Sequence, residues 1–201
     1  WGGAIRYTTA MCFALAFLPM FGLGGVTGLP LGLGPSNLIL HDTYYVIGHF
    51  HYLVAPGTMF ALFAATYHWF PKVTGRRLDE RLGLVHFIGS FVSMNAIFLP
   101  MFLMGLVGVN RRMYDGGLQY QLAEPTLRWN GHMTWNAVAL GLFQLVLVWN
   151  MIASARRGVP AENPWRATTL EWATASPPPP GNFAEPPVVT GGPYRYEETQ
   201  A

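Results

Sequence analysis

Four long apolar stretches organise the 201-residue chain, at about residues 6–28, 44–70, 82–109 and 133–154. Each is long enough, at about 1.5 Å per residue, to cross or nearly cross a hydrocarbon core of about 30 Å as a helix. The pattern predicts an all-α membrane protein: four transmembrane helices within residues 1–157, then an extended Pro-rich tail over 158–201. Pro19 and Pro100 invite kinks, which neighbouring helices in a membrane bundle accommodate. Gly22, Gly24, Gly25 and Gly28 thin the end of the first span, either for close approach of another helix or as a loose helix end. The connection Leu29 to Leu40, with Pro30 and Pro35 among glycines, reads as too broken for a helix. Trp69 and Phe70 fit an interfacial aromatic belt, as do Trp135 and Trp149, and Pro71 is expected to stop the second span.

Polar residues inside these stretches carry the chemistry, because polar groups in a bilayer are expensive and face protein rather than lipid. His86, Ser90, Ser93 and Asn95 in the third span, and Asn136 and Gln144 in the fourth, require partners inside the bundle. The densest cluster is His41-Asp42-Thr43-Tyr44-Tyr45-Val46-Ile47-Gly48-His49-Phe50-His51-Tyr52, which holds three of the six histidines. On a helix, residues i and i+2 point about 200° apart, so His49 and His51 cannot grip one small ion from the same helix. Each serves a different partner. Neutral imidazole is a common haem ligand, so two haems, one on each side, is one reading. Hydrogen-bonded packing histidines are the other.

Composition agrees with the pattern: 51% of residues are hydrophobic and 11% charged, where an average soluble domain has about a quarter charged. A net charge of +2 does not point to nucleic acid. Cys12 is the single cysteine, which excludes an internal disulfide. The chain begins at Trp1, so it reads as a processed product, a split subunit or a fragment. Lys72, Arg76, Arg77 and Arg81 crowd one short loop, and Arg156-Arg157 follow the fourth span. The excess of basic residues places both, and the tail, on the cytoplasmic side. His68, beside this loop, is expected at the surface with no chemistry. Arg111-Arg112 fall on the opposite side, against the charge bias, either as a solvated rim pair or as a planar fork for carboxylates such as haem propionates. His41-Asp42 suits a hard cation completed by a second chain, or a solvated helix N-terminus with Asp42 near the positive end of the dipole.

The His-Asp-Thr-Tyr-Tyr-x-x-x-His-Phe-His-Tyr motif resembles the tenth-helix signature of subunit I of the haem-copper oxidases, in the cytochrome c oxidase branch. Trp1 to Met11 resembles the entry to the ninth helix. His86-Phe87, Asn95 and Gly108-x-x-Arg111-Arg112-x-Tyr114 resemble the eleventh helix and the segment after it. Asn163-Pro164-Trp165, Thr169 to Trp172 and the Ser176-Pro run resemble the tail of the bacterial subunit. Met101-Phe102 and Asn110 depart from the family pattern.

The resemblance implies the last third of a twelve-helix bundle. By it, His49 is the catalytic-site ligand of the high-spin haem iron and His51 a ligand of the low-spin haem iron, with Phe50 between the haems. Arg111 and Arg112 would bind haem propionates, and His41 and Asp42 would belong to a magnesium or manganese site shared with subunit II. Two haems of a type, a copper whose ligands lie in earlier helices, and magnesium or manganese are the implied cofactors. The rest of subunit I, subunit II with its copper centre, subunit III, cytochrome c and the lipid bilayer of the bacterial inner membrane are the implied partners. The implied reaction is reduction of oxygen to water with electrons from cytochrome c, coupled to proton translocation. A quinol oxidase of the same superfamily, and a non-catalytic membrane or assembly chain, are the rival expectations.

Overall fold

A computed structural model describes residues 5–113, 124–183, 185–189 and 192. Trp1 at the ninth-helix entry, Tyr114 after the arginine pair and the end of the tail lie outside the described residues. Among the described residues, four helical stretches are long and apolar enough to cross a membrane: Thr9–Gly32, Tyr44–Thr74, Glu80–Leu106 and Pro125–Arg157. No strand occurs among the described residues, only isolated bridges joining Thr43 to Asn110 and Arg76 to Pro160.

Helix α1 spans Thr9–Thr27 and starts where the Thr8 hydroxyl accepts from the Met11 N–H at 3.3 Å. The following connection is helical, contrary to the expectation of a broken loop: α2 spans Leu29–Gly32 and α3 spans Gly34–Leu40. Pro30 and Pro35 sit in the first turns of these helices, where a missing N–H would have no intrahelical acceptor anyway.

Helix α4, Tyr44–Val54, begins at Thr43, whose hydroxyl accepts from the Tyr45 N–H at 3.3 Å and donates to the Leu40 carbonyl at 2.7 Å. The second span is not uniformly α-helical. Ala55–Phe60 forms a π-helical segment around the buried Pro56, and α5 covers Ala61–Thr74. A π-turn relieves the missing N–H and ring clash of an interior proline by widening one turn. Nor does Pro71 end the helix. The chain runs on to Thr74, and termination falls to Gly75, which takes φ +69° and donates its N–H to the Pro71 carbonyl at 2.7 Å. Phe70 is buried in the core rather than lying in an interfacial belt, while Trp69 is exposed.

Helix α6, Glu80–Leu106, is capped by the Asp79 carboxylate, which accepts from the Leu82 N–H at 2.9 Å. Such a cap typically stabilises a helix by about 1 kcal/mol. A single turn, α7 at Glu124–Leu127, precedes α8 at Trp129–Arg157, so the last span exceeds its apolar stretch at both ends.

The long helices form one bundle: α6 packs along α8 and α4, and α1 packs against α4 and α5. Lipid is as apolar as leucine, so close packing and interhelical hydrogen bonds hold such a bundle. Phe13 is fully buried with Phe60, Phe63, Tyr67, His86 and Phe87 around it, ring centroids 5.0–6.0 Å away. Gly105 lets the backbone of Tyr45 lie against α6, where a Cβ would collide with it. Trp135 and Trp149 on α8 are exposed, as are Val138, Leu142, Leu145 and Val148 between them.

His86, Ser90, Asn95 and Gln144 find partners on neighbouring helices, and Ser93 is buried. His86 Nε2 lies 3.1 Å from Gln144 Oε1 and His86 Nδ1 lies 3.2 Å from the Tyr67 hydroxyl. Gln144 Nε2 donates to Ser90 Oγ at 3.0 Å, and the Tyr52 hydroxyl donates to Asn95 Oδ1 at 2.8 Å. Asn136 departs from this pattern. It is satisfied within its own helix, donating to the His132 carbonyl at 2.9 Å, because one turn below it supplies an acceptor.

After α8 the chain folds back over the ends of its own helices. Arg77 N–H donates to the Val159 carbonyl at 2.9 Å, and Ala161 N–H donates to the Gly75 carbonyl at 3.0 Å. Lys72 Nζ donates to the carbonyls of Thr174 and Ala175 at 2.7 and 3.1 Å, and Trp172, in the short helix α9 at Leu170–Ala173, is buried. His68 is therefore not a bare surface residue. Its ring is half-buried and stacked on Trp165 at 5.3 Å, and its carbonyl accepts from Trp165 Nε1 at 2.9 Å.

Candidate functional site

The two histidines of α4 face different helices. His49 turns to α1, where its Nδ1 lies 2.9 Å from the Gly24 carbonyl and 3.2 Å from the Thr27 hydroxyl. His51 lies flat on Phe98 of α6, ring centroids 4.2 Å apart and planes 14° apart, with Nδ1 2.8 Å from the Ile47 carbonyl one turn back. Phe50 between them is 38% exposed.

A carbonyl oxygen only accepts, so both imidazoles must carry their proton on Nδ1. In the neutral ring this leaves Nε2 with a lone pair, and neither Nε2 has a hydrogen-bond partner among the described residues. A metal-binding histidine commonly has this arrangement: one nitrogen donates to a carbonyl, which sets the tautomer and ring orientation, and the other is the ligand. The donor set therefore fits two separate metal-centred groups, one per histidine. A packing histidine in the same bundle looks different: His86 has both ring nitrogens engaged and is fully buried.

The candidates His41, Asp42, Arg111 and Arg112 meet at one end of the bundle. Backbone bonds clamp the two segments: Tyr44 N–H donates to the Val109 carbonyl at 2.9 Å, and Arg111 N–H to the Asp42 carbonyl at 2.8 Å. Arg111 Nε and Nη2 both donate to Asp42 Oδ1, at 2.9 and 2.5 Å, and His41 Nε2 lies 3.2 Å from Asp42 Oδ2. Hydrogen bonding from Arg111 is the main influence holding the Asp42 carboxyl below its ordinary range, and the charges of His41, Arg111 and Arg112 add to it. Asp42 and Arg112 both adopt left-handed backbone, at φ +59° and +64°. That conformation is uncommon outside glycine and tends to occur where a fold imposes it at a functional site.

No group of three or more His, Cys, Asp or Glu side chains able to hold a metal forms among the described residues. His41 and Asp42 supply two oxygen- or nitrogen-bearing groups at an exposed edge, so any cation there needs ligands from elsewhere. Adjacency in the sequence pairs His41 with Asp42 and Arg111 with Arg112; the structure adds the cross-link between the pairs. The supports of His49 and His51, namely Gly24, Thr27 and Phe98, carry no sequence signal that ties them to a histidine tens of residues away.

Residues 1–143 match the family described as Cytochrome C and Quinol oxidase polypeptide I. Cytochrome c oxidase subunit 1 of Synechocystis sp. is 46% identical over 197 residues, covering 98% of this chain and 35% of the relative. The subunit 1 of Thermostichus vulcanus is 46% identical over 199 residues, with the same coverage of 98% and 35%. The chain thus spans about a third of the length of these relatives. A haem-copper terminal oxidase dimer solved by cryo-electron microscopy superposes with a TM-score of 0.62 at 25% identity, over 73% of this chain and 26% of that one.

Proposed function

The chain belongs to the Cytochrome C and Quinol oxidase polypeptide I family, and from that premise we propose that it supplies the ligand helix of a respiratory oxidase. Its α4 holds His49 for the iron of a high-spin haem and His51 for the iron of a low-spin haem, with Phe50 between them. The observation that carries this reading is the pair of imidazoles, packed against different helices, whose Nδ1–H groups are tied to the carbonyls of Gly24 and Ile47, each leaving Nε2 with a free lone pair. When bound, the haems supply the electron transfer and oxygen chemistry that side chains cannot. Arg111 and Arg112 offer guanidinium groups to the propionates, with Arg111 oriented by Asp42. His41 and Asp42 contribute to a magnesium or manganese site completed by another subunit.

In this reading the protein acts with the remaining helices of subunit I, a copper-bearing subunit II and subunit III in the bacterial cell membrane. Cytochrome c supplies the electrons that reduce oxygen to water, and proton translocation is coupled to the reduction. Arg76, Arg77, Arg156, Arg157 and the tail face the cytoplasm, in line with their excess of basic residues. The test is a reduced-minus-oxidised spectrum of the purified complex, repeated with carbon monoxide. Two haems are expected, of which one binds carbon monoxide. His49→Ala should abolish the carbon-monoxide-binding signal, and His51→Ala the signal of the other haem. Unchanged haem content in both variants would leave the histidines as packing residues. Oxidation of quinol but not cytochrome c would shift the assignment to the quinol branch.

A further inference from the structure

One side chain that neither the motif nor the family match singles out sits against the proposed haem ligand. Thr27 closes the last turn of α1, and its hydroxyl donates to the Gly24 carbonyl at 2.7 Å. That same carbonyl accepts from His49 Nδ1–H at 2.9 Å, and the Thr27 oxygen lies 3.2 Å from the same nitrogen. With its own hydrogen already given to Gly24, the Thr27 hydroxyl can only accept from His49. The Nδ1–H is therefore shared between two acceptors one turn apart on α1. Gly28 completes the enclosure: a Cβ there would stand 2.8 Å from His49 Cε1, so the edge of the ring fills the space that glycine leaves.

We infer that Thr27 is a positioning residue for His49, holding the imidazole by a second acceptor so that Nε2 keeps one direction. The inference rests on the proposed role of His49 as a haem ligand. A single hydrogen bond leaves the ring free to swing about the Nδ1···O axis. Two acceptors set at an angle, with the ring edge against Gly28, remove that freedom. Outer partners of a metal-binding histidine act in this way, setting ring orientation and the strength of the bond from the opposite nitrogen. The hydroxyl also restrains its own competitor, because the hydrogen it donates to Gly24 keeps that carbonyl in place for His49. The device costs nothing in burial, since Thr27 satisfies its own helix end while serving the ring.

The experiment is resonance Raman spectroscopy of the reduced, carbon-monoxide-free complex, read at the iron–histidine stretching band. Thr27→Val keeps the side-chain shape and deletes the hydroxyl; Thr27→Ala deletes it without filling the space; Thr27→Ser restores it. The expected result is a band shifted and broadened in the Val and Ala variants and returned to wild-type position and width in Ser. Loss of the carbon-monoxide-binding haem from Val and Ala, with retention in Ser, supports the same conclusion, because the hydroxyl alone distinguishes them. A wild-type band in Val and Ala overturns the inference. So does equal disturbance in Ser, which would trace the effect to packing. If the wild-type complex shows no histidine-ligated haem, or His49→Ala leaves the band unchanged, the reading of His49 itself has failed, an outcome separable from the others.

Discussion

Arg111 grips Asp42 through two nitrogens on one oxygen, Nε at 2.9 Å and Nη2 at 2.5 Å, and so ties the start of α4 to the segment after α6. The two residues are 69 positions apart, and both belong to the candidate site. Arg111 is thereby held by a protein carboxylate from one side, and His41 faces the other oxygen of that carboxylate.

Replacing Asp42 by Asn should disturb the whole rim. It removes the charged acceptor of Arg111 and one of the two candidate cation ligands, so the complex should retain less magnesium or manganese, measured by elemental analysis. The carboxyl is held low, chiefly by Arg111, so its contribution is fully present above the ordinary carboxylate range of about pH 4. It is lost only as pH falls through the lowered value. The melting difference between wild type and Asp42→Asn should therefore be flat from neutral pH down to about 5 and close in stronger acid.

Gln144→Leu should destabilise the bundle. Gln144 serves His86 through Oε1 and Ser90 through Nε2, and both partners are fully buried. Leucine leaves a buried ring N–H without an acceptor, which costs about 1–3 kcal/mol. Thermal denaturation in detergent should show the loss, with the two-haem spectrum retained until the protein melts.

Two glycine substitutions on α6 should differ in severity. A Cβ at Gly89 would collide with the ring of Phe143 at its root, Cγ, which clears only if the whole side chain leaves its rotamer; one at Gly105 would collide with the backbone of Tyr45, which clears only if the helices part. Overpacking typically costs about 1–3 kcal/mol, so Gly89→Ala, where one side chain must move, should fall in that range, and Gly105→Ala, where backbone must move, at or above it. Melting temperatures of the two variants should rank in that order. Gly105→Ala should also perturb the haem spectrum, since Tyr45 lies one turn before His49 on α4.

Lys72→Met should release the tail. The ammonium group of Lys72 bonds the carbonyls of Thr174 and Ala175 and the Ser176 hydroxyl, and lies 5.4 Å from the centre of the Trp172 ring. Methionine keeps the apolar stem and loses all of these. Chymotryptic cleavage around Trp165 and Trp172 should become several-fold faster, with the haem spectrum unchanged.

Much of this protein is written locally in its sequence. The four apolar stretches determined four membrane helices, because a segment that must satisfy its own backbone in lipid has no alternative to the helix. The i, i+2 spacing of His49 and His51 determined that they serve different partners, since helical rotation separates them whatever surrounds them. Polar residues within the apolar runs marked buried contacts at His86, Ser90 and Gln144. Their partners did not follow, because a hydrogen bond between helices depends on how those helices cross. Tertiary structure alone put Thr27 and Gly24 beside His49, Phe98 under His51, and Arg111 on Asp42. It also decided the fate of the prolines. Pro30 and Pro35 open short helices, where a first-turn N–H has no intrahelical acceptor, Pro56 is taken up in a π-turn, and Pro71 lies in the last turn of α5 without ending it. His68 shows the limit most plainly: the tail that covers it lies almost a hundred residues away, and only folding brings Trp165 onto its ring.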